Sequence, residues 1–384
     1  MKKVKAGIIG IGYIGLAHIE ALRRLAGVEI AAIGGSNKES TQQKAESLGI
    51  SNAYGDYREM LKDPSISVIH NCTPNVLHLQ INKDILNAGK HCISEKPLGM
   101  NPAESAELVR HAKSTNLINA VNFNYRYYPL VQHAKHMIQE NELGRVFSVL
   151  GCYTQDWLLY ESDWNWRLDP QCAGIARVMS DIGSHWFDLI QFVTGKKIKR
   201  VFADVLTVHE YRIRPDKTAD TFIRKSSSSE NSTKIKIESE DCGHVLIQFA
   251  DGSKGSTFIS QTAAGRKNHI VFEIHGTEKS IWWDHERPNE LMTGHRDKPN
   301  EVMLKDPSLL GGTAGTYAHY PAGHNEGYPS AVKNFCRNVY RHITGEGSEI
   351  DYATFLDGYI SDVIVEAVIK SSRTEKWIDI ITAV

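Results

Sequence analysis

An α/β chain is predicted from three features of the sequence. Residues 1–125 alternate short apolar runs with amphipathic segments. A glycine run, Gly10-Ile11-Gly12-Tyr13-Ile14-Gly15, stands where the first apolar run gives way to the first amphipathic one. After Val201, long apolar alternations are broken by tight-turn dipeptides. Strand–helix alternation argues for a parallel sheet with helices on both faces, whereas hairpin signals argue for antiparallel pairing. The expected architecture is therefore an N-terminal Rossmann-type parallel sheet domain over residues 1–125 and a C-terminal α+β domain over residues 126–384. The second domain should carry a large, mostly antiparallel, open-faced sheet, and the helices of about 330–384 should pack back on the first domain.

The expected strands of the first domain are Lys5–Gly10, Glu29–Ile33, Asn52–Tyr54, Val68–Cys72, His91–Ser94 and Ile118–Asn122. Between them Leu16, Ile19, Leu22 and Leu25 fall at helical spacing, as do Ile81, Ile85 and Leu86, and then Ala106, Val109 and Ala112. The aromatic, basic stretch Tyr125 to Pro129 opens a helix to Glu140, and a strand follows from Val146 to Tyr153. Val245–Phe249 and Ser256–Ser260 flank Asp251-Gly252, and His269–His275 and Ser280–Trp283 flank Gly276-Thr277, two hairpin signals. Ser226 to Ser232 is a polar tract expected as a flexible loop. Helical periodicity returns in Ser330–Ile343 and Phe355–Ser371.

Composition excludes several classes of function. The chain has 384 residues, 41% hydrophobic and 23% charged, with a formal net charge of -1. Such a balance supplies no field to draw it onto nucleic acid or an anionic membrane. No apolar run approaches membrane-spanning length, and the apolar stretch after Lys2, Lys3 and Lys5 is too short and glycine-broken for a secretion signal. The six cysteines are scattered with no C-x-x-C pair. Free thiols in a reducing cytoplasm are expected, with neither a disulfide framework nor a metal site.

The glycine run follows a strand and opens a helix, the context in which G-x-G-x-x-G binds a dinucleotide. Gly10 permits a tight turn, Gly12 lets the backbone approach a pyrophosphate, and Gly15 lets helix and strand pack closely; the helix N-terminus then faces the phosphates. The second strand ends in Ile33-Gly34-Gly35-Ser36-Asn37-Lys38, without the acid that usually accepts from the ribose 2′-hydroxyl of NAD. Ser36, Asn37 and Lys38 are able to receive a 2′-phosphate, which tilts the expected cofactor from NAD toward NADP; a merely solvated Lys38 is the competing reading. A fourth strand stopping at Thr73-Pro74-Asn75, with His78 one helical turn on, exposes backbone to a ribose or nicotinamide.

Glu95-Lys96-Pro97 follows the strand His91–Ser94 and delivers a lysine to the open end of the sheet. There an ammonium can touch both cofactor and substrate and can hydrogen-bond a substrate hydroxyl, lowering its pKa. Asp181 and His185 are four residues apart, so a helix starting near Ser180 sets them on one face, with Gly195 as its cap. An imidazole suits proton removal from an alcohol as hydride leaves. Alone, such a D-x-x-x-H is more often a satisfied helix-face pair, and it gains weight beside Lys96.

Together, Gly10-x-Gly12-x-x-Gly15, Thr73-Pro74-Asn75-x-x-His78, Glu95-Lys96-Pro97 and Asp181-x-x-x-His185 resemble the Gfo/Idh/MocA oxidoreductases, the family of glucose–fructose oxidoreductase and inositol dehydrogenase. Phe123-Asn124-Tyr125-Arg126, Gln155-Asp156-Trp157, Trp166-Arg167 and Gly265-Arg266-Lys267-Asn268 resemble its levoglucosan and glycoside dehydrogenase branch. The resemblance implies NAD(P)-dependent hydride transfer from a secondary hydroxyl of a sugar, glycoside or cyclitol, with Lys96, Asp181 and His185 as the catalytic group. It further implies an Arg167 near the nicotinamide amide, Tyr125 and Arg126 bordering the substrate, and Trp157, Trp164 or Trp166 stacking on a sugar ring. Homodimers or homotetramers packed through the second-domain sheet are implied as well. An NAD-dependent glycoside hydrolase of the same fold and a non-catalytic sugar-sensing regulator are the alternatives.

Overall fold

The computed structural model describes residues 3–174, 176–215, 232–347 and 349–384. The serine-rich tract lies outside the described residues except for Ser232, which opens the strand Ser232–Lys236. The chain divides into two compact units, one of residues 1–124, 329–362 and 384, the other of 125–328 and 363–383.

The first unit is built on six parallel strands: β1 (Val4–Ile9), β2 (Val28–Gly34), β3 (Asn52–Tyr54), β4 (Val68–Asn71), β5 (His91–Ser94) and β6 (Asn119–Val121), in the order β3-β2-β1-β4-β5-β6. Both neighbours of β1 run parallel to it, so the strand order reverses between β1 and β4, and ligands of such sheets bind beyond the carboxyl ends at that point. All four residues of β4 are buried, as in a sheet covered on both faces. The helices are α1 (Tyr13–Arg23), α2 (Lys38–Leu48), α3 (Tyr57–Leu61), α4 (His78–Asn87) and α5 (Pro102–Lys113). Asn101 caps α5 by accepting from Glu104 N, and Pro102 stands in its first turn, where its missing N–H costs nothing. Periodicity does not find α2 or α3. In α2 only Thr41 and Ala45 are buried, so no apolar stripe marks it.

The second unit is built around a nine-stranded sheet. Its order is Glu301–Leu304, Glu290–Gly294, Ser280–Asp284, His269–His275, Ser148–Thr154, Lys254–Ser260, Cys242–Phe249, Ile198–Leu206 and Ile378–Asp379. Both expected hairpins are present as antiparallel pairs, and one central pair, Lys254–Ser260 with Ser148–Thr154, is parallel. The register decides which face is covered. Ala203, Val245, Thr257, Gly151, Phe272, Trp283 and Leu291 form one row across the sheet, and its side chains are buried. One residue along, Phe202, Leu246, Ser256, Leu150, Glu273, Trp282, Met292 and Val302 form the opposite-facing row, in which Leu246 is 49%, Leu150 38% and Val302 50% exposed. The helix Ser184–Thr194 lies on the covered face, its Trp186 indole donating to Val271 O at 2.8 Å. A Cβ at Gly151 would stand 2.7 Å from that indole nitrogen, so a residue without a side chain is what lets the helix approach.

Candidate active site

In the first unit the carboxyl ends of β1, β4, β5 and β6 gather four loops on one edge. Gly10 turns with φ +88, and any Cβ there would meet Cys72 O at 2.5 Å, so only glycine suits both the left-handed backbone and the contact. A Cβ at Gly15 would stand 2.1 Å from Gly10 O, which fixes how closely α1 packs against the loop. Gly12 occupies the N-cap position of α1, supplies no side-chain acceptor to its first turn, and has open space where a Cβ would be. Tyr13, which opens α1, is exposed, while Ile11 and Ile14 complete the loop. This cradle fits a pyrophosphate backbone.

At the end of β2 the side chains of Asn37 and Lys38 have partners within the unit. The Asn37 side chain caps α2, accepting from Ser40 N at 2.9 Å, and the Lys38 ammonium donates to Ala53 O. Ser36 is exposed.

A buried polar chain links the ends of β4 and β5. Thr73 Oγ1 donates to Asn71 Oδ1 at 2.6 Å, Asn71 to Asn82 Oδ1 at 2.9 Å, and Asn82 to Ser94 Oγ at 2.9 Å. His78 is fully buried between the two loops, Nδ1 2.7 Å from Pro97 O and Nε2 2.8 Å from Thr73 O. Burial pushes its pKa down, against the two carbonyls and Glu95. Its ring thus lies between the Thr73-Pro74-Asn75 turn and the Lys96-Pro97 turn, against a carbonyl of each. Asn75 is buried just beyond Pro74. The Glu95 carboxylate is buried too, 2.9 Å from His18 Nε2 and accepting from Asn122 Nδ2 at 2.6 Å. Burial alone would raise its pKa, but His18, Asn122 and Lys96 outweigh it and hold the carboxyl below its ordinary value.

In the second unit a π-helical turn, Met179–Gly183, leads into the helix Ser184–Thr194, which ends at Gly195 in the left-handed conformation. Such turns recur at functional sites because the widened ring reorients side chains. Asp181 lies in the turn and His185 in the first turn of the helix. The Asp181 carboxylate accepts from Arg167 Nε at 3.0 Å and from Gln261 Nε2 at 2.8 Å. Arg167 is in turn stacked 4.4 Å over the Trp166 ring, so within this unit it is the partner of Asp181. The turn is anchored from below: Glu240 Oε1 accepts from Arg177 N and Met179 N, both at 2.9 Å, and burial pushes its carboxyl pKa up. Arg177 reaches Gln261 Oε1 at 3.1 Å and pairs with Asp241, which also pairs with Arg212 at 2.7 Å.

His185 is walled by aromatic residues. The Tyr125 ring stands edge-on to it at 5.0 Å, and Tyr153 is 6.3 Å away. Tyr125 Oη lies 2.6 Å from Tyr153 Oη and accepts from Asn268 Nδ2 at 3.0 Å, while Gln155 Nε2 donates to Asn268 Oδ1 at 3.0 Å. Burial raises the Tyr153 phenol well above its ordinary value and lowers the His285 imidazole. Arg126 and Trp157 both have side-chain partners within the unit. Arg126 is buried in a two-toothed pair with Asp188, Nε to Oδ2 at 2.8 Å, and Trp157 donates to Gln155 Oε1 at 2.9 Å while packing on Leu158, Leu168 and Ile237. Trp164 packs on the same cluster. Local sequence carries no sign of Gln261, Glu240, Asp241, Arg177 or Tyr153, because each acts through a partner remote in the chain.

Among the described residues no helix is long and apolar enough to cross a membrane. All six cysteines are free.

A parallel sheet with a glycine loop at its reversal point, followed by an open-faced sheet unit, defines a two-part dinucleotide-binding oxidoreductase. Residues 4–123 match the family described as an oxidoreductase family with an NAD-binding Rossmann fold, and residues 131–282 match the GFO/IDH/MocA C-terminal domain. The chain is 31% identical to levoglucosan dehydrogenase of Pseudarthrobacter phenanthrenivorans across 99% of both chains, and 25% identical to myo-inositol 2-dehydrogenase of Thermotoga maritima across 88% of both. A solved levoglucosan dehydrogenase in complex with NADH and L-sorbose superposes with a TM-score of 0.88 over 100% of both chains, at 30% identity. The chain belongs to the Gfo/Idh/MocA oxidoreductase family.

Proposed function

We propose that this protein is a dehydrogenase of sugars, glycosides or cyclitols that uses Lys96, Asp181 and His185 to oxidise a secondary hydroxyl. A nicotinamide dinucleotide, when bound, accepts or returns the hydride. The chain's own residues do the rest. His185 takes the hydroxyl proton, Lys96 donates a hydrogen bond to the reacting oxygen, and Asp181 orients His185 and stabilises its cation. One observation carries this reading: Lys96 leaves β5 on the same sheet edge as the glycine loop, separated from β1 only by β4. Tyr125, Tyr153, Gln155 and Asn268 supply hydroxyl and amide groups suited to a polyhydroxylated ligand. The test is a panel of levoglucosan, myo-inositol and other sugars with NAD⁺ and NADP⁺, followed by absorbance of the reduced nicotinamide. Turnover on none of them would overturn the reading, and free sugar released without reduced nicotinamide would replace it with hydrolysis.

The committed Asn37 and Lys38 side chains support NAD over the NADP that the bare sequence favours. The expected result is a kcat/KM at least about 10-fold higher with NAD⁺, a difference of about 1.4 kcal/mol in binding the ribose end. A higher value with NADP⁺ would restore Lys38 as a phosphate ligand.

The protein is further proposed to act in the cytoplasm as a homo-oligomer, the open apolar row of the nine-stranded sheet being its contact. Light scattering after size exclusion should give a dimer or tetramer for the native chain and a monomer for Leu150→Glu/Leu246→Glu. A monomeric native chain would sink this assignment.

A further inference from the structure

Asp181 is anchored twice within the second unit, and both anchors lead to Arg177. Its main-chain N donates to Arg177 O at 2.8 Å. Its carboxylate Oδ2 accepts from Gln261 Nε2 at 2.8 Å, and Gln261 Oε1 accepts from Arg177 Nη1 at 3.1 Å. Backbone and side chain of Asp181 are thereby joined in one closed loop of hydrogen bonds. Arg177 and Gln261 are both fully buried, and each is held by further partners. Gln261 N donates to Asp241 O at 3.1 Å, and its carbonyl accepts from Leu158 N at 3.2 Å. Arg177 N donates to Glu240 Oε1, its Nε to Ser239 Oγ at 3.3 Å, and its Nη2 to Asp241.

Between these neighbours the Gln261 amide has one orientation. A guanidinium carries only donors and a carboxylate only acceptors. Turned over, the amide would set its NH2 against Arg177 and its oxygen against Asp181, so donors would face donors and acceptors would face acceptors. The oxygen therefore meets Arg177, and a hydrogen points at Asp181 Oδ2. The other carboxylate oxygen, Oδ1, accepts from Arg167 Nε at 3.0 Å. With a donor on each oxygen, the plane of the carboxylate is set by groups outside its own turn.

We propose that Gln261 is a positioning residue of the reaction: clamped by Arg177, its amide holds the Asp181 carboxylate in the direction that serves His185. The assignment rests on the dehydrogenase reading of Asp181 and His185 given above, and extends it to a residue 80 positions further along the chain. A group that orients a base has to be held to within about 0.5 Å by its surroundings. A displacement of about 1 Å costs on the order of 10²-fold in rate. Gln261 acts through Asp181, so its contribution should vanish once Asp181 no longer carries a carboxylate.

The test uses the full chain with whichever sugar turns over in the panel. Gln261→Glu keeps the shape of the side chain and an acceptor for Arg177, and replaces the donor at Asp181 with an acceptor. It should lower kcat at least about 10-fold, while the sugar KM and the NAD⁺ Kd change less than about 3-fold, the split expected when orientation and not binding is lost. Gln261→Met, which offers neither donor nor acceptor, should lower kcat in the same way. Thermal melting shows whether each variant folds, and Gln261→Glu decides the matter if the methionine variant does not. Combined with Asp181→Asn, Gln261→Glu should cost less than about 2-fold, because the new amide at 181 donates to the new carboxylate at 261 and restores the bond in reverse. Native kcat in either folded Gln261 variant while Asp181→Asn lowers it would overturn the proposal. So would an equal loss from Gln261→Glu with and without Asp181→Asn. If Asp181→Asn and His185→Ala themselves keep native turnover, the dehydrogenase reading of that pair has failed, and the role of Gln261 falls with it.

Discussion

Lys96→Ala and His185→Ala are each expected to lower kcat by about 10²–10⁴, the usual loss on removing a positioned acid–base or hydrogen-bonding group. The double variant should lose far less than the product of the two, because groups that act on one hydroxyl act as a unit. Steady-state kinetics with saturating sugar and dinucleotide give the answer, thermal melting confirming that both variants fold. Both sites tolerate truncation structurally: the Glu95 carboxylate retains His18 and Asn122, and Asp181 retains Arg167 and Gln261. Near-native turnover in either variant would remove that residue from the mechanism. Asp181→Asn should cost less than His185→Ala, since Asp181 orients the base and does not itself move the proton.

The second large effect is on stability. Asp241 accepts from Arg177, from Arg212 at 2.7 Å, and from Val208 N at 2.7 Å, and its side chain and both guanidiniums are fully buried. Asp241→Asn leaves two buried cations without their shared anion and should cost about 3–5 kcal/mol, a large part of a typical total of about 5–15 kcal/mol. Urea unfolding of the native and variant chains measures it. Burial alone would raise the Asp241 pKa, but Arg177 and Arg212 outweigh that and hold it below the ordinary value. The folded value is thus lower than the unfolded one of about 3.9. The native advantage should therefore be complete above about pH 4 and disappear as the pH falls through the folded value. Because Arg177 holds Gln261 and Gln261 holds Asp181, the variant should also lose kcat. A variant within about 1 kcal/mol of native, below the loss expected for a broken buried pair, would show the arginines to be satisfied without Asp241.

Much of this was legible in the residues. Each strand of the first unit lies within two residues of its expected position, since a buried parallel strand is a short apolar run bounded by turn residues. The Asp251-Gly252 and Gly276-Thr277 hairpins were equally plain, their turn residues being chosen by backbone conformation. Other features were hidden. Polar α2 buries only Thr41 and Ala45 and leaves no periodic stripe. Asn37 and Lys38 look like phosphate ligands in the sequence, yet one caps a helix and the other reaches a carbonyl on the neighbouring strand. The buried pair of Arg126 with Asp188, 62 residues on, is equally invisible in the sequence.

Local chemistry, then, was set by the sequence: where strands stop, where glycine is required, and that Lys96, Asp181 and His185 stand at element ends. Tertiary structure alone decided which polar groups are spent on one another. Asp181 with Gln261, Arg177 with Asp241, and His18 with His70 are separated by 80, 64 and 52 residues. Pairing at such range is imposed by sheet register and burial, and an unpaired group in a core costs too much to remain, so no periodicity within a single segment announces it.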